Sequence, residues 1–259
     1  MVVRRSSEAR SGWRAHPVWT AVIVVAIVVL LAIAGFVVWA LTPYRADEAA
    51  LEAMASGGGV TVTEQAAGIV FAPDGDPSVG LVLYPGGRVE ASAYAPLARA
   101  VAEQGYLVII QPMPLNLAVF GIGSADDAFG AHPDIAAWAV GGHSLGGAMA
   151  AEFTAREPGR ISALVLLAAY PASSDLSGET FSALTMRGSE DGLVSVEEVE
   201  EGQLKLPPGS VFSAIGGGNH AGFGSYGEQN GDGPSALPRG VQAQIAAEAI
   251  GELLAAVSE

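Results

Sequence analysis

Positions 18–41 are 24 consecutive residues without a charge, rich in Val, Ile, Leu and Ala. At ~1.5 Å per residue such a run forms a helix of ~36 Å, enough to cross a hydrocarbon core of ~30 Å with some tilt. Beyond it the pattern breaks into shorter pieces. Runs 60–63 and 68–71 are β-branched and separated by turn residues, which predicts an opening pair of strands. After the turn signal Asp74-Gly75-Asp76-Pro77 come apolar runs at 79–84, 106–111, 138–141, 163–167, 182–186 and 211–215. Among them lie segments with apolar positions at helical spacing, 94–104, 145–156 and 241–257. Apolar strands alternating with helices make a parallel sheet covered on both faces. The expected class is therefore α/β, a mostly parallel sheet with helices on both faces, preceded by one N-terminal transmembrane helix.

The flanks of the apolar run set its direction. Arg4, Arg5, Arg10 and Arg14 precede it, Trp19 and Trp39 lie near its ends, and Arg45, Asp47 and Glu48 follow. By the positive-inside bias, residues 1–17 form a cytoplasmic basic arm and everything beyond the membrane helix at 18–41 is extracytoplasmic. A cleaved signal peptide is the competing reading, with cleavage near the Ala-rich stretch 46–55. Its apolar region is normally about 7–15 residues, shorter than this one. Residues 42–59 read as a juxtamembrane linker, with a short helix at 46–55 ended by Gly57-Gly58-Gly59 and a hinge that lifts the domain off the bilayer. Residues 60–259 then form the catalytic domain.

Charge excludes one class of partner. The formal charge is −15; residues 1–17 carry four Arg and one Glu, leaving 8 basic and 26 acidic side chains, or −18, for the rest. Such a surface repels nucleic acid, whose binding relies on neutralising phosphates with Lys and Arg. There is no cysteine, so disulfides, thiolate metal sites and a Cys nucleophile are excluded.

The chemistry concentrates in Val140-Gly141-Gly142-His143-Ser144-Leu145-Gly146-Gly147, which contains Gly-x-Ser-x-Gly at 142–146. In a glycine-rich chain the bare pattern is weak, but an apolar strand enters this one and a helix-forming run leaves it. Strand, sharp turn and helix are what a nucleophile elbow requires, because the turn exposes the serine hydroxyl above the sheet. A serine needs a base, and histidine, titrating near about 6.5, suits the task. His16 lies in the basic arm, His132 upstream of the elbow, and His143 adjoins Ser144 on a turn where it cannot fold back onto the hydroxyl. His220 remains, in a glycine-rich loop after the strand 211–215. The acid that orients it is Asp191, just beyond the strand 182–186, with Glu190 as rival; the order Ser144, Asp191, His220 suits the elbow motif. The oxyanion donors are expected to be the N–H of Leu145 and that of Gly87 in Tyr84-Pro85-Gly86-Gly87-Arg88, with Arg88 N–H as the alternative to Gly87. The Arg88 side chain is a candidate contact for an anionic substrate group.

With these motifs in hand, the sequence from about residue 68 to 257 resembles the α/β-hydrolase superfamily, in particular its fold-5 branch of dienelactone-hydrolase-like enzymes. The resemblance rests on Tyr84-Pro85-Gly86-Gly87, Gly142-His143-Ser144-Leu145-Gly146-Gly147, Gly188-Ser189-Glu190-Asp191 and Gly218-Asn219-His220. It implies the α/β-hydrolase fold and a serine hydrolase of carboxylic esters working without metal or cofactor. Pro85 stands where many relatives have the His of a His-Gly oxyanion motif, and Ser144 replaces the Cys of dienelactone hydrolases, which argues against dienelactone chemistry. No segment between residues 167 and 182 is long enough for a cap domain. The expected partners are a small-molecule ester and the lipid bilayer around 18–41. The alternatives are an acyltransferase to a cell-envelope alcohol and a catalytically inactive binding module on the same fold.

Overall fold

The computed structural model describes residues 17–238 and 240–257. The expected basic arm therefore falls outside the described residues, except for Pro17. The chain divides into two compact units between Trp39 and Ala40. The first holds helix α1 (Pro17–Ala40), in which the span Val18–Ala40 has a mean hydropathy of 3.3. This helix is long and apolar enough to cross a membrane, a test that a signal sequence near the N-terminus also passes.

The second unit begins with helix α2 (Glu48–Ala53) and two strands, β1 (Val60–Gln65) and β2 (Gly68–Pro73), followed by β3 (Val79–Tyr84). Helix α3 (Ala95–Ala102), strand β4 (Leu107–Ile110), helix α4 (Ala125–Ala131) and strand β5 (Ala137–His143) come next. Helix α5 (Leu145–Arg156), strands β6 (Ala163–Leu167) and β7 (Ser182–Gly188), helix α6 (Val196–Gln203), strand β8 (Val211–Ile215) and helix α7 (Val241–Ala256) complete it.

The described strands form one sheet in the order β1-β2-β4-β3-β5-β6-β7-β8. β1 with β2 and β2 with β4 are antiparallel, and every pair from β4 through β3 to β8 is parallel. Parallel strands need crossovers, and the helices that supply them cover both faces. β3 shows how the apolar runs divide: Leu81 and Leu83 join one core with Leu97 and Val101 of α3 and Ile250 and Leu254 of α7. Val82 and Tyr84 point to the other, with Ala150, Ala151 and Phe153 of α5 and Phe129 of α4. Buried on both faces, β3 has no polar alternation to display.

Residues 42–59, expected as a linker with a hinge, are built into this unit. Tyr44 makes a parallel bridge with Val89; its N–H donates to Arg88 O at 2.7 Å and its carbonyl accepts from Glu90 N at 3.0 Å. The Asp47 carboxylate caps α2 through Ala50 N at 3.1 Å, and Ala50 is fully buried. The Arg99 side chain of α3 donates to the carbonyls of Ala53, Ala55 and Gly57 and closes the end of α2. α4 and α6 were not legible beforehand; α6 starts with a reciprocal cap between Ser195 and Glu198 and buries little besides Val199.

Leu164, fully buried in β6 between β5 and β7, measures how much the central sheet relies on packing. Leu164→Ala is expected to cost roughly 2–5 kcal/mol, seen as a lower midpoint in urea unfolding.

Candidate active site

β5 ends at His143 and α5 begins at Leu145, so the whole change of direction falls on Ser144, with φ 52° and ψ −123°. A non-glycine residue at positive φ is strained, and the surrounding contacts hold it there. Ser144 N–H donates to Leu167 O at 2.9 Å at the end of β6. A Cβ on Gly142 would lie 2.4 Å from the Gly146 carbonyl carbon, and one on Gly146 would lie 2.2 Å from Tyr84 O. The two glycines of the motif are required because backbone occupies the space a side chain would need.

Asp191 and His220 come together as expected. His220 Nδ1 lies 3.0 Å from Asp191 Oδ2 and 3.2 Å from Oδ1, and both side chains are essentially out of solvent, at 1% and 0% exposure. Asp191 Oδ1 also accepts the N–H groups of Leu193 and Val194, each at 2.9 Å. Burial alone pushes the Asp191 carboxyl up, but the bond to His220, its charge and these two N–H groups outweigh it, so the carboxyl sits below its ordinary value. Glu190, the rival, is exposed and accepts from Ser189 Oγ at 2.9 Å. The other ring nitrogen of His220, Nε2, is buried with no hydrogen-bond partner among the described residues. Ser144 Oγ and His220 Nε2 are thus not hydrogen-bonded to each other in this structure.

The loop after β3 narrows the choice of oxyanion donor. Gly86 N–H donates to Tyr94 Oη at 2.9 Å and Arg88 N–H to Asn116 O at 2.7 Å, so both are engaged. Gly87 lies between them, and a Cβ there would meet the Leu145 side chain at 3.3 Å. Gly87 and Leu145, the two expected donors, are therefore neighbours, and Leu145 opens α5, where N–H groups are left without helical partners. The Arg88 guanidinium, the expected contact for an anionic substrate group, donates to Thr42 O and Oγ1 and lies 5.9 Å over the Tyr44 ring.

His143, set aside as unable to reach Ser144, packs against the base instead. Its ring centroid is 4.6 Å from that of His220, and its Nδ1 lies 2.8 Å from Tyr94 Oη. Burial holds the Tyr94 phenol protonated by pushing its pKa up. The Tyr94 oxygen accepts from Gly86 N–H and shares a hydrogen bond with His143 Nδ1. Burial first, and the nearby charge of His220 second, hold His143 well below the usual histidine range. A neutral ring beneath His220 can accept a positive charge next to it without like-charge repulsion. No sequence signal separated this role from plain packing.

A strained serine between a parallel strand and a helix, beside a buried carboxylate–imidazole pair, defines the class as an α/β hydrolase. The model of the alpha/beta hydrolase family matches residues 80–244, and the chain belongs to that family. Among solved structures it is similar to a predicted CIB-like hydrolase from Thermoplasma acidophilum, at 16% identity and a TM-score of 0.58, over 75% of this chain and 100% of that one. It is also similar to Est1E from Butyrivibrio proteoclasticus, at 12% identity and a TM-score of 0.54, over 78% of this chain and 99% of that one. At these identities the likeness is one of fold. No curated protein matches the sequence.

Two predictions follow from the Tyr94–His143 arrangement. Tyr94→Phe leaves Gly86 N–H and His143 Nδ1 without their shared partner and is expected to lower stability by about 1–3 kcal/mol in chemical unfolding. For pH, a histidine whose folded pKa is lowered binds its proton more readily when unfolded. Its contribution is present above the unfolded value of about 6.5 and is lost as pH falls below it. Unfolding free energy is expected to fall from pH 6.5 towards pH 5, by at most about 1.4 kcal/mol per unit from His143, and the slope should flatten in His143→Gln. Asp191 acts lower: its depressed carboxyl stabilises the fold above the unfolded value of about 3.9, and that stability is lost as pH falls below it.

Proposed function

We propose that this α/β hydrolase is a membrane-anchored serine esterase that cleaves carboxylic esters through an acyl-enzyme. The observation that carries the reading is the fully buried Asp191–His220 contact, whose remaining imidazole nitrogen is uncommitted, at the same sheet edge as the Ser144 elbow. His220 Nε2 takes the Ser144 proton as the hydroxyl attacks the ester carbonyl. Asp191 holds the ring and stabilises the imidazolium, and the N–H groups of Leu145 and Gly87 receive the developing oxyanion. The proton passes to the alcohol as it leaves, and water, activated by the same imidazole, releases the acid and restores Ser144. The apolar helix α1 serves as the retained anchor, with the domain on the extracytoplasmic side by the charge of the preceding arm.

Full-length protein in detergent is expected to hydrolyse p-nitrophenyl acetate and butyrate and to label with a fluorophosphonate. Ser144→Ala should lose labelling and lower turnover by about 10³-fold or more while its melting curve is retained. Equal activity in the two proteins would remove Ser144 from the mechanism. The anchor is tested separately: the full-mass chain should stay with membranes after an alkaline wash and be shaved by protease added outside the cell. Recovery of a shorter, released form would identify α1 as a leader instead.

A further inference from the structure

The ladder between β7 and β8 ends at Gly188 and Ile215, so the loops carrying Asp191 and His220 extend beyond the sheet and must be held by other means. Two bonds start the task, Ser189 N–H to Ile215 O at 3.0 Å and Glu190 N–H to Gly218 O at 2.8 Å. Gly217 N–H donates to Ser189 Oγ at 2.8 Å, the Gln242 side chain binds Asn219 N–H and O, and a further tie comes from Asp232, in Gly231-Asp232-Gly233-Pro234, a stretch without a motif of its own. Its Oδ1 accepts the N–H groups of His220 at 3.1 Å, Gly192 at 3.1 Å and Gly233 at 2.8 Å. Its Oδ2 accepts Ala221 N–H at 2.8 Å. Gly192 directly follows Asp191, and Ala221 directly follows His220. One carboxylate therefore binds the backbone of both loops next to the two residues that must meet.

The packing around it is equally close. A Cβ on Gly192 would lie 2.7 Å from Gly231 O, and one on Gly233 would lie 1.9 Å from Glu190 O. Asn219 Nδ2 donates to Gly233 O at 2.8 Å and ties the same segment to the histidine loop. Bonds from N–H groups to a carboxylate are stronger than neutral ones.

We propose that Asp232 is a positioning residue of this site, clamping the acid loop to the histidine loop so that the imidazole meets Asp191 with its other nitrogen left for Ser144. The clamp rests on the Ser144–Asp191–His220 reading and extends it to a residue that touches neither substrate nor reacting atoms.

The test uses the full-length protein in detergent with p-nitrophenyl acetate and a fluorophosphonate. Asp232→Asn keeps the shape but loses the charge and places an amide group against the N–H donors; Asp232→Ala removes the carboxylate. Glu228→Gln, which deletes an exposed charge nearby, is the control. Expected are losses in kcat and labelling rate of about 10-fold in Asp232→Asn and about 100-fold in Asp232→Ala, with KM unchanged within about twofold. Added formate should restore part of the Asp232→Ala rate. Glu228→Gln should behave as the parent. If Asp232→Ala does not fold, Asp232→Asn decides on the same readouts. Folded Asp232 variants with parental kcat and labelling, beside an inactive Ser144→Ala, would overturn the clamp alone. Turnover that survives in Ser144→Ala overturns the triad reading and the clamp with it.

Discussion

The contact between the Asp191 carboxylate and the His220 imidazole, made out of water beyond the ends of two parallel strands, is the interaction around which the site is arranged. Burying a carboxylate is costly unless its lone pairs are satisfied, and an imidazole gains nothing from burial by itself. The cost is offset locally. The Leu193 and Val194 N–H groups hold Asp191 from behind, and the tight return of the chain through 231–233 fixes the loop that carries it. A carboxylate that stays charged because backbone donors and one imidazole surround it can orient that imidazole and stabilise its protonated form.

The same economy of backbone appears on the serine side. The strained turn at Ser144 is held between Leu167 O at the end of β6 and glycines whose absent side chains let β3, β5 and α5 approach one another. Three successive N–H groups in the loop after β3 are divided between jobs: those of Gly86 and Arg88 are tied to Tyr94 and Asn116, and the Gly87 residue lies against Leu145. Tyr94 and His143 link this loop to the underside of His220, so that the elbow, the loop and the imidazole share one rigid core rather than three independent loops.

Residues 42–47 extend that core. The chain between the apolar helix and α2 pairs with the loop 86–90 through Tyr44 and Val89, the Arg88 guanidinium returns to Thr42, and Asp47 N–H reaches Ser225 O at 2.9 Å. Glycines at 57–59 suggested a hinge, and the residues before them are hydrogen-bonded into the second unit. Arg99, 42 or more positions away, supplies the donors that the carbonyls of the α2 end require.

The sequence by itself determined the α/β class, the strand order of events along the chain and the elbow at Ser144, because apolar periodicity and glycine spacing are local consequences of sheet and turn geometry. It also put forward His220, and Asp191 with Glu190 as rival, since few acids and fewer histidines follow a strand at the correct edge. What it left open depended on residues distant in the chain. Whether Gly87 or Arg88 keeps a usable N–H depends on Asn116, which takes the Arg88 N–H, and the Arg88 side chain reaches Thr42. His143 became part of the site only when β8 brought His220 over it. Asp232 lies in a loop with no periodicity and no motif, where Gly-Asp-Gly-Pro reads as an ordinary turn. Its significance comes from four converging N–H groups, and only the tertiary fold brings such groups to one point.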